Sequence, residues 1–222
     1  MSHFEEYSRL GNLLYDSDPK NVDFLMEAAW GENNIGYANG KLKEPLKAIT
    51  AFKSGIVYFS KAHELAPNRG DIITELANTY AGLSREYVKI NDYNSAREYR
   101  ERSITLLQSI NSKLKTSPKI RYYLAMALAE YEILQGAPKN KVCNLEIWNG
   151  VFTTFEDLIH FDSDNLLWRQ NYIIYGQQFL KRCKLKMQKE EAKEFISLLL
   201  NVASEYEQDS RLITFVLDLE KL

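Results

Sequence analysis

The chain has 222 residues, 45% of them hydrophobic, 26% charged and 12% aromatic, with a formal net charge of −2. That composition is ordinary for a globular chain, and the near-neutral balance excludes a general electrostatic affinity for nucleic acid or anionic lipid. Gly and Pro, 10 and 5 in number, are too few for the tight turns of an all-β sandwich.

Apolar residues recur with helical period from end to end, and short breaks containing Pro, Gly, Asn or Asp divide the pattern into about ten helices. The first is predicted at 3–15, before Asp16-Ser17-Asp18-Pro19. The second, 21–38, stops at Asn39-Gly40, a pair suited to a left-handed helix end. The third, 44–65, has Pro45 in its first turn and Pro67 just past its end. The fourth follows Asn68-Arg69-Gly70 and reaches Ile90. The fifth begins near Asp92 and runs to Leu114. The sixth opens at Pro118 and ends at Gly136. The seventh covers 143–160, the eighth follows Asp162-Ser163-Asp164 and runs to Met187, the ninth covers 188–207 and the last 209–220. No segment alternates with period two, so no sheet is expected.

Within this series the third helix carries Gly55, Phe59, Ala62 and Pro67. Counting onward places Leu76, Ala77 and Tyr80 in the next helix, and Tyr80, Leu83, Ser84 and Tyr87 repeat that set seven residues later. Tyr93 and Ala96 follow. These spacings resemble the tetratricopeptide repeat, a 34-residue helix pair in which small residues let two helices approach and large ones plug the gap between pairs. Seven residues are close to two helical turns, so a seven-residue insertion keeps the same face inward. The stripe Leu76, Tyr80, Leu83, Tyr87, Ile90 fits a first helix about two turns longer than the family's. The sequence departs from the pattern at Arg100, Ser103 and Gln108. In the eighth helix Asp164-Asn165, Trp168-Arg169, Tyr172 and Tyr175 resemble the decayed repeats of bacterial signalling proteins.

The resemblance implies an all-α architecture of stacked antiparallel helix pairs in a short right-handed superhelix. It implies one domain over 1–222, with capping helices at 1–40 and 188–222 around degenerate repeats at 45–186. The alternative reading is an irregular helical bundle. The resemblance also implies a non-catalytic scaffold that holds a partner protein or peptide on the concave side, which the first helices line. Candidate partner-binding residues there are Glu75, Asn78, Arg85 and Lys89 on the fourth helix. Tyr123 and Glu130 follow on the sixth, and Arg169 and Gln170 on the eighth. Family members that clamp a carboxylate spread Lys, Asn and Arg over three helices; here Asn78, Arg85 and Lys89 share one, so that function is not expected. Rival readings are a regulatory or sensor arm of a bacterial signalling system, and a self-assembling module dimerising through Leu212, Ile213, Phe215, Val216, Leu217 and Leu219.

Chemistry-bearing motifs are scarce. His3, His63 and His160 lack ligand spacing, and Gly31 to Gly36 lacks the Lys and Ser/Thr of a phosphate loop. No cofactor, metal or catalytic residue is expected. The basic clusters Lys113, Lys115, Lys119, Arg121 and Lys181, Arg182, Lys184, Lys186, Lys189 read as solvated surface. Cys143 and Cys183 read as buried free thiols of a cytoplasmic protein, with a single bridge between them as the alternative. No apolar run reaches the length of a membrane span, and the N-terminus lacks the pattern of a signal peptide.

Overall fold

A computed structural model describes residues 2–111, 117–137, 142–183 and 186–204. The expected helix at 209–220, with its dimerising face, lies outside the described residues, as do Lys113, Lys115 and Lys184 of the basic clusters. The described residues form nine helices and no strand: α1 (Ser2–Ser17), α2 (Val22–Lys41), α3 (Pro45–Leu65), α4 (Gly70–Lys89), α5 (Tyr93–Asn111), α6 (Pro118–Gln135), α7 (Leu145–Phe161), α8 (Leu166–Cys183) and α9 (Lys189–Ser204). The architecture is all-α, with helices packed on their chain neighbours in adjacent pairs. Among the described residues no helix is long and apolar enough to cross a membrane. Two compact units divide at Ala127, within α6; each is described by itself.

Helix starts follow local chemistry. Asn21 and Asn144 each accept two backbone N–H groups through Oδ1, capping α2 and α7. Pro45 opens α3 where its missing N–H has no intrahelical role. The end of α2 is not where Asn39-Gly40 suggested. The helix continues to Lys41, Gly40 keeps a negative φ, and Lys43 takes the left-handed conformation at φ 61°. Gly40 is needed for space instead: a Cβ there would lie 2.6 Å from Glu86 Oε1.

A longer period underlies the pairs. Helices α2, α4, α6 and α8 begin at 22, 70, 118 and 166, an interval of 48 each time. Burial keeps the same interval. In these first helices Ala29, Ala77, Ala125 and Ile173 are buried together, as are Asn33, Ala81, Ala129 and Gln177. In the second helices (α3, α5, α7, α9) Gly55, Ser103, Val151 and Leu199 are buried in register, and so are Phe59, Leu107, Phe155 and Ala203. The interval exceeds 34 by two turns in each helix of the pair, so the lengthening seen in α4 is matched in α5. Chemical identity varies at a given register: Phe52, Arg100 and Trp148 share one position, all buried.

In the first unit, Leu25, Met26, Ala29, Phe59, Ala62, Ile72 and Leu76 form one apolar cluster between α2, α3 and α4. Phe52 is wedged between Gly36 and Gly82, where added Cβ atoms would come within 2.8 and 3.0 Å of its ring. In the second unit the core is aromatic, with Phe152 4.7 Å from Phe195 and 5.3 Å from Phe179 between centroids. Cys143 and Cys183 are bridged, which corrects the expectation of free thiols. Cys143 leads into α7 and Cys183 ends α8, and their Cα atoms are 5.4 Å apart, within bonding range.

Candidate functional site

The first helices of the first unit bring polar and aromatic side chains onto one strip. Glu75 on α4 is half-buried, and that burial holds its carboxyl above the ordinary carboxylate range. The Lys119 ammonium on α6 and the Trp30 indole on α2 act in the opposite direction. One carboxylate thus feels groups from three successive first helices. Next along the strip, the Tyr37 hydroxyl of α2 lies 3.5 Å from the Asn78 carbonyl oxygen of α4. Its ring meets Phe52 edge-on at 4.9 Å. Crowding raises the Tyr37 hydroxyl pKa although 39% of the residue's surface is open; the Arg85 guanidinium pulls it down, and Glu75 and Tyr123 push it up. Tyr123 lies one turn from Lys119, whose Nζ sits 5.8 Å from its ring centroid.

Of the residues read from the sequence, Glu75, Asn78, Arg85 and Tyr123 therefore share one neighbourhood. Lys89 does not present a free charge to it. Its Nζ donates to the Gly40 carbonyl at 3.0 Å and to the buried Glu86 carboxylate at 2.6 Å, tying α4 to the end of α2. The remaining candidates belong to the second unit. Glu130 accepts a hydrogen bond from the Tyr175 hydroxyl at 3.1 Å. Gln170 is half-buried, and Arg169 is 7% exposed at the register position that holds Leu25 and Ile73. Arg169 is therefore buried in α8 rather than exposed on a lining face, whereas Arg121, at the same register position in α6, is half-buried.

Trp30, Tyr37 and Lys119 were missed. The 48-residue interval finds two of them: Trp30 is the equivalent of Asn78, and Tyr37 of Arg85. Likewise Glu75 is the equivalent of Tyr123. The strip is one set of surface positions written again on successive first helices.

Among the described residues no group of three or more His, Cys, Asp or Glu side chains is placed to hold a metal ion. The chain matches no family model and no curated protein.

Proposed function

We propose that this chain is a non-catalytic, tetratricopeptide-like repeat scaffold, and that it holds an extended peptide or a helix of a partner protein on the first-helix strip of its first unit. The observation that supports this is the convergence of Trp30, Tyr37, Glu75, Asn78, Arg85, Lys119 and Tyr123 from three first helices, all but Lys119 in pairs one repeat interval apart. Such a strip combines what peptide recognition uses. Tyrosine and tryptophan faces give area at low entropic cost, Asn78 offers an amide, and Arg85 and Lys119 offer charge opposite Glu75. The 48-residue interval gives longer helices than the 34-residue family pattern, and hence a longer strip per repeat.

The test is site-specific photo-crosslinking in lysate, with benzoylphenylalanine at position 37 and, as control, at the exposed position 47. A partner captured from position 37 alone, and lost when Arg85→Glu is added without change in far-UV circular dichroism, supports the reading. Capture that is equal from both positions, or indifferent to Arg85→Glu, removes the strip as the site.

A further inference from the structure

A second kind of surface recurs between consecutive second helices, and it goes beyond the strip just proposed. In the first unit α3 and α5 flank a cavity of about 620 Å³ that includes Ser60, Tyr80, Glu98 and Arg102. In the second unit α7 and α9 flank a cavity of the same volume, with Phe152, Phe179 and Phe195 as its floor and Glu156, Glu191 and Glu194 on its walls. Two repeat intervals, 96 residues, carry Ser60 onto Glu156, Glu98 onto Glu194, and Arg102 onto Leu198. The two cavities are thus the same groove in different repeats.

What lines them differs. In the first unit the groove wall carries a basic side chain of its own. The Arg102 guanidinium lies 5.3 Å from the Tyr99 ring centroid and 5.9 Å from that of Tyr80, and it pairs with Glu98 at 2.6 Å. In the second unit the aromatic ring and the carboxylate are retained as Phe195 and Glu194, and the arginine is replaced by Leu198, which is 40% exposed. Glu156 accepts from the Tyr172 hydroxyl at 3.0 Å, and Glu191 accepts from the Gln188 N–H at 2.9 Å, which fixes both carboxylates. Among the described residues no basic side chain lines this groove.

We infer that the groove between α7 and α9 receives an arginine side chain from a partner protein's peptide segment, held over Phe195 and paired with Glu194 as Arg102 is held over Tyr99 and paired with Glu98. A planar guanidinium on an aromatic face, closed by a carboxylate, is a favourable arrangement for arginine and a poorer one for lysine. Apolar residues beside the arginine meet Leu145, Leu198 and the phenylalanine floor. Charge argues against the chain's own occupants: residues 205–222 carry five acidic and two basic residues, and a second copy brings a net charge of −2 toward three glutamates.

The probe is a fluorescein-labelled Gly-Ser-Leu-Arg-Leu-Arg-Leu-Ser-Gly peptide and its counterpart with citrulline, a neutral isostere, at both arginines. Fluorescence anisotropy against the full chain reads binding up to millimolar protein. The arginine peptide should bind at least tenfold more tightly than the citrulline peptide. L198R, which supplies the groove with its own arginine at an exposed position, should lose at least tenfold, and so should E194Q. E190Q, which removes a charge outside the groove, should bind as wild type does. Equal binding of the two peptides, full binding by L198R, or no binding of the arginine peptide overturns the inference. So does light scattering that shows the groove filled by self-association relieved by L198R.

Discussion

Gly31 and Gly150 both lie inside helices, and changing each to Ala should move stability in opposite directions. An Ala in a helix interior is favoured over Gly by about 1 kcal/mol through backbone entropy alone. At Gly150, on α7, an added Cβ meets nothing within 4 Å, so that gain is undiluted. At Gly31, on α2, the same Cβ would lie 2.6 Å from Ser8 Cα, 3.1 Å from Ser8 Cβ and 3.2 Å from Ser8 N. Two of those three atoms are backbone of α1, so no rotamer change relieves the clash, and α1 must move away. Overpacking of that kind costs about 1–3 kcal/mol. The movement also strains the Ser8 to Glu32 hydrogen bond at 2.7 Å and the Tyr7 to Glu27 bond at 2.5 Å, worth about 1 kcal/mol each. Net of the helix-propensity gain, Gly31→Ala should destabilise by about 2 kcal/mol, from the same magnitudes. Urea unfolding followed by circular dichroism gives the two shifts, and amide exchange over residues 3–17 shows whether α1 has loosened. If Gly31→Ala raises the unfolding midpoint as Gly150→Ala does, with α1 exchange unchanged, the close crossing of α1 and α2 is not real.

The Cys143–Cys183 bridge closes a separation of 40 residues, for which chain entropy gives about 4 kcal/mol. Dithiothreitol should lower the melting temperature of the wild type and leave Cys143→Ser/Cys183→Ser unmoved; two free thiols titrated in the unreduced, denatured wild type would show the bridge to be absent. Burial raises the Glu75 carboxyl above its ordinary value of 4.5. The folded state therefore binds that proton more tightly than the unfolded chain. Its contribution to stability is full in acid and is lost as pH rises through the raised value. Glu75→Gln should therefore unfold at higher urea than wild type at pH 7, with the gap closing below pH 4.5; a gap independent of pH would mean that the carboxylate is not desolvated in the strip.

Helix positions were legible because their punctuation is local. Pro45, Pro67, Pro118 and the Asn68-Arg69-Gly70 turn mark ends by chain geometry that needs no tertiary partner, and the structure places helices within a few residues of each. Asn39-Gly40 shows where local punctuation misleads. The pair has the chemistry of a helix stop, yet Gly40 is kept small by the Glu86 carboxylate from α4, a contact 46 residues away in sequence. The 48-residue period was hidden for a related reason. A register that places Phe52, Arg100 and Trp148 at one position conserves location and not residue type, and spacing of similar residues detects only the second. The shorter frame was read because Leu76, Ala77 and Tyr80 happen to satisfy it locally.

The candidate site divides along the same line. Glu75, Asn78, Arg85 and Tyr123 were found by asking which polar residues flank a core stripe, and on a helix whose stripe is clear that question has a geometric answer. It fails where polarity and burial part company. Lys89 satisfies the spacing but is drawn to the Gly40 carbonyl and Glu86, because a helix end leaves acceptors that a nearby ammonium will meet. Arg169 satisfies a motif but sits where Leu25 and Ile73 sit. For Lys89 the deciding quantity is a contact with a neighbouring helix end, and for Arg169 it is the equivalent residue one or more repeats away. The same comparison that removes Arg169 from the surface adds Trp30 and Tyr37 to it, and it alone distinguishes the groove that holds Arg102 from the one that exposes Leu198. Function in this chain is therefore to be sought in the differences between equivalent positions, since the positions themselves are set by packing.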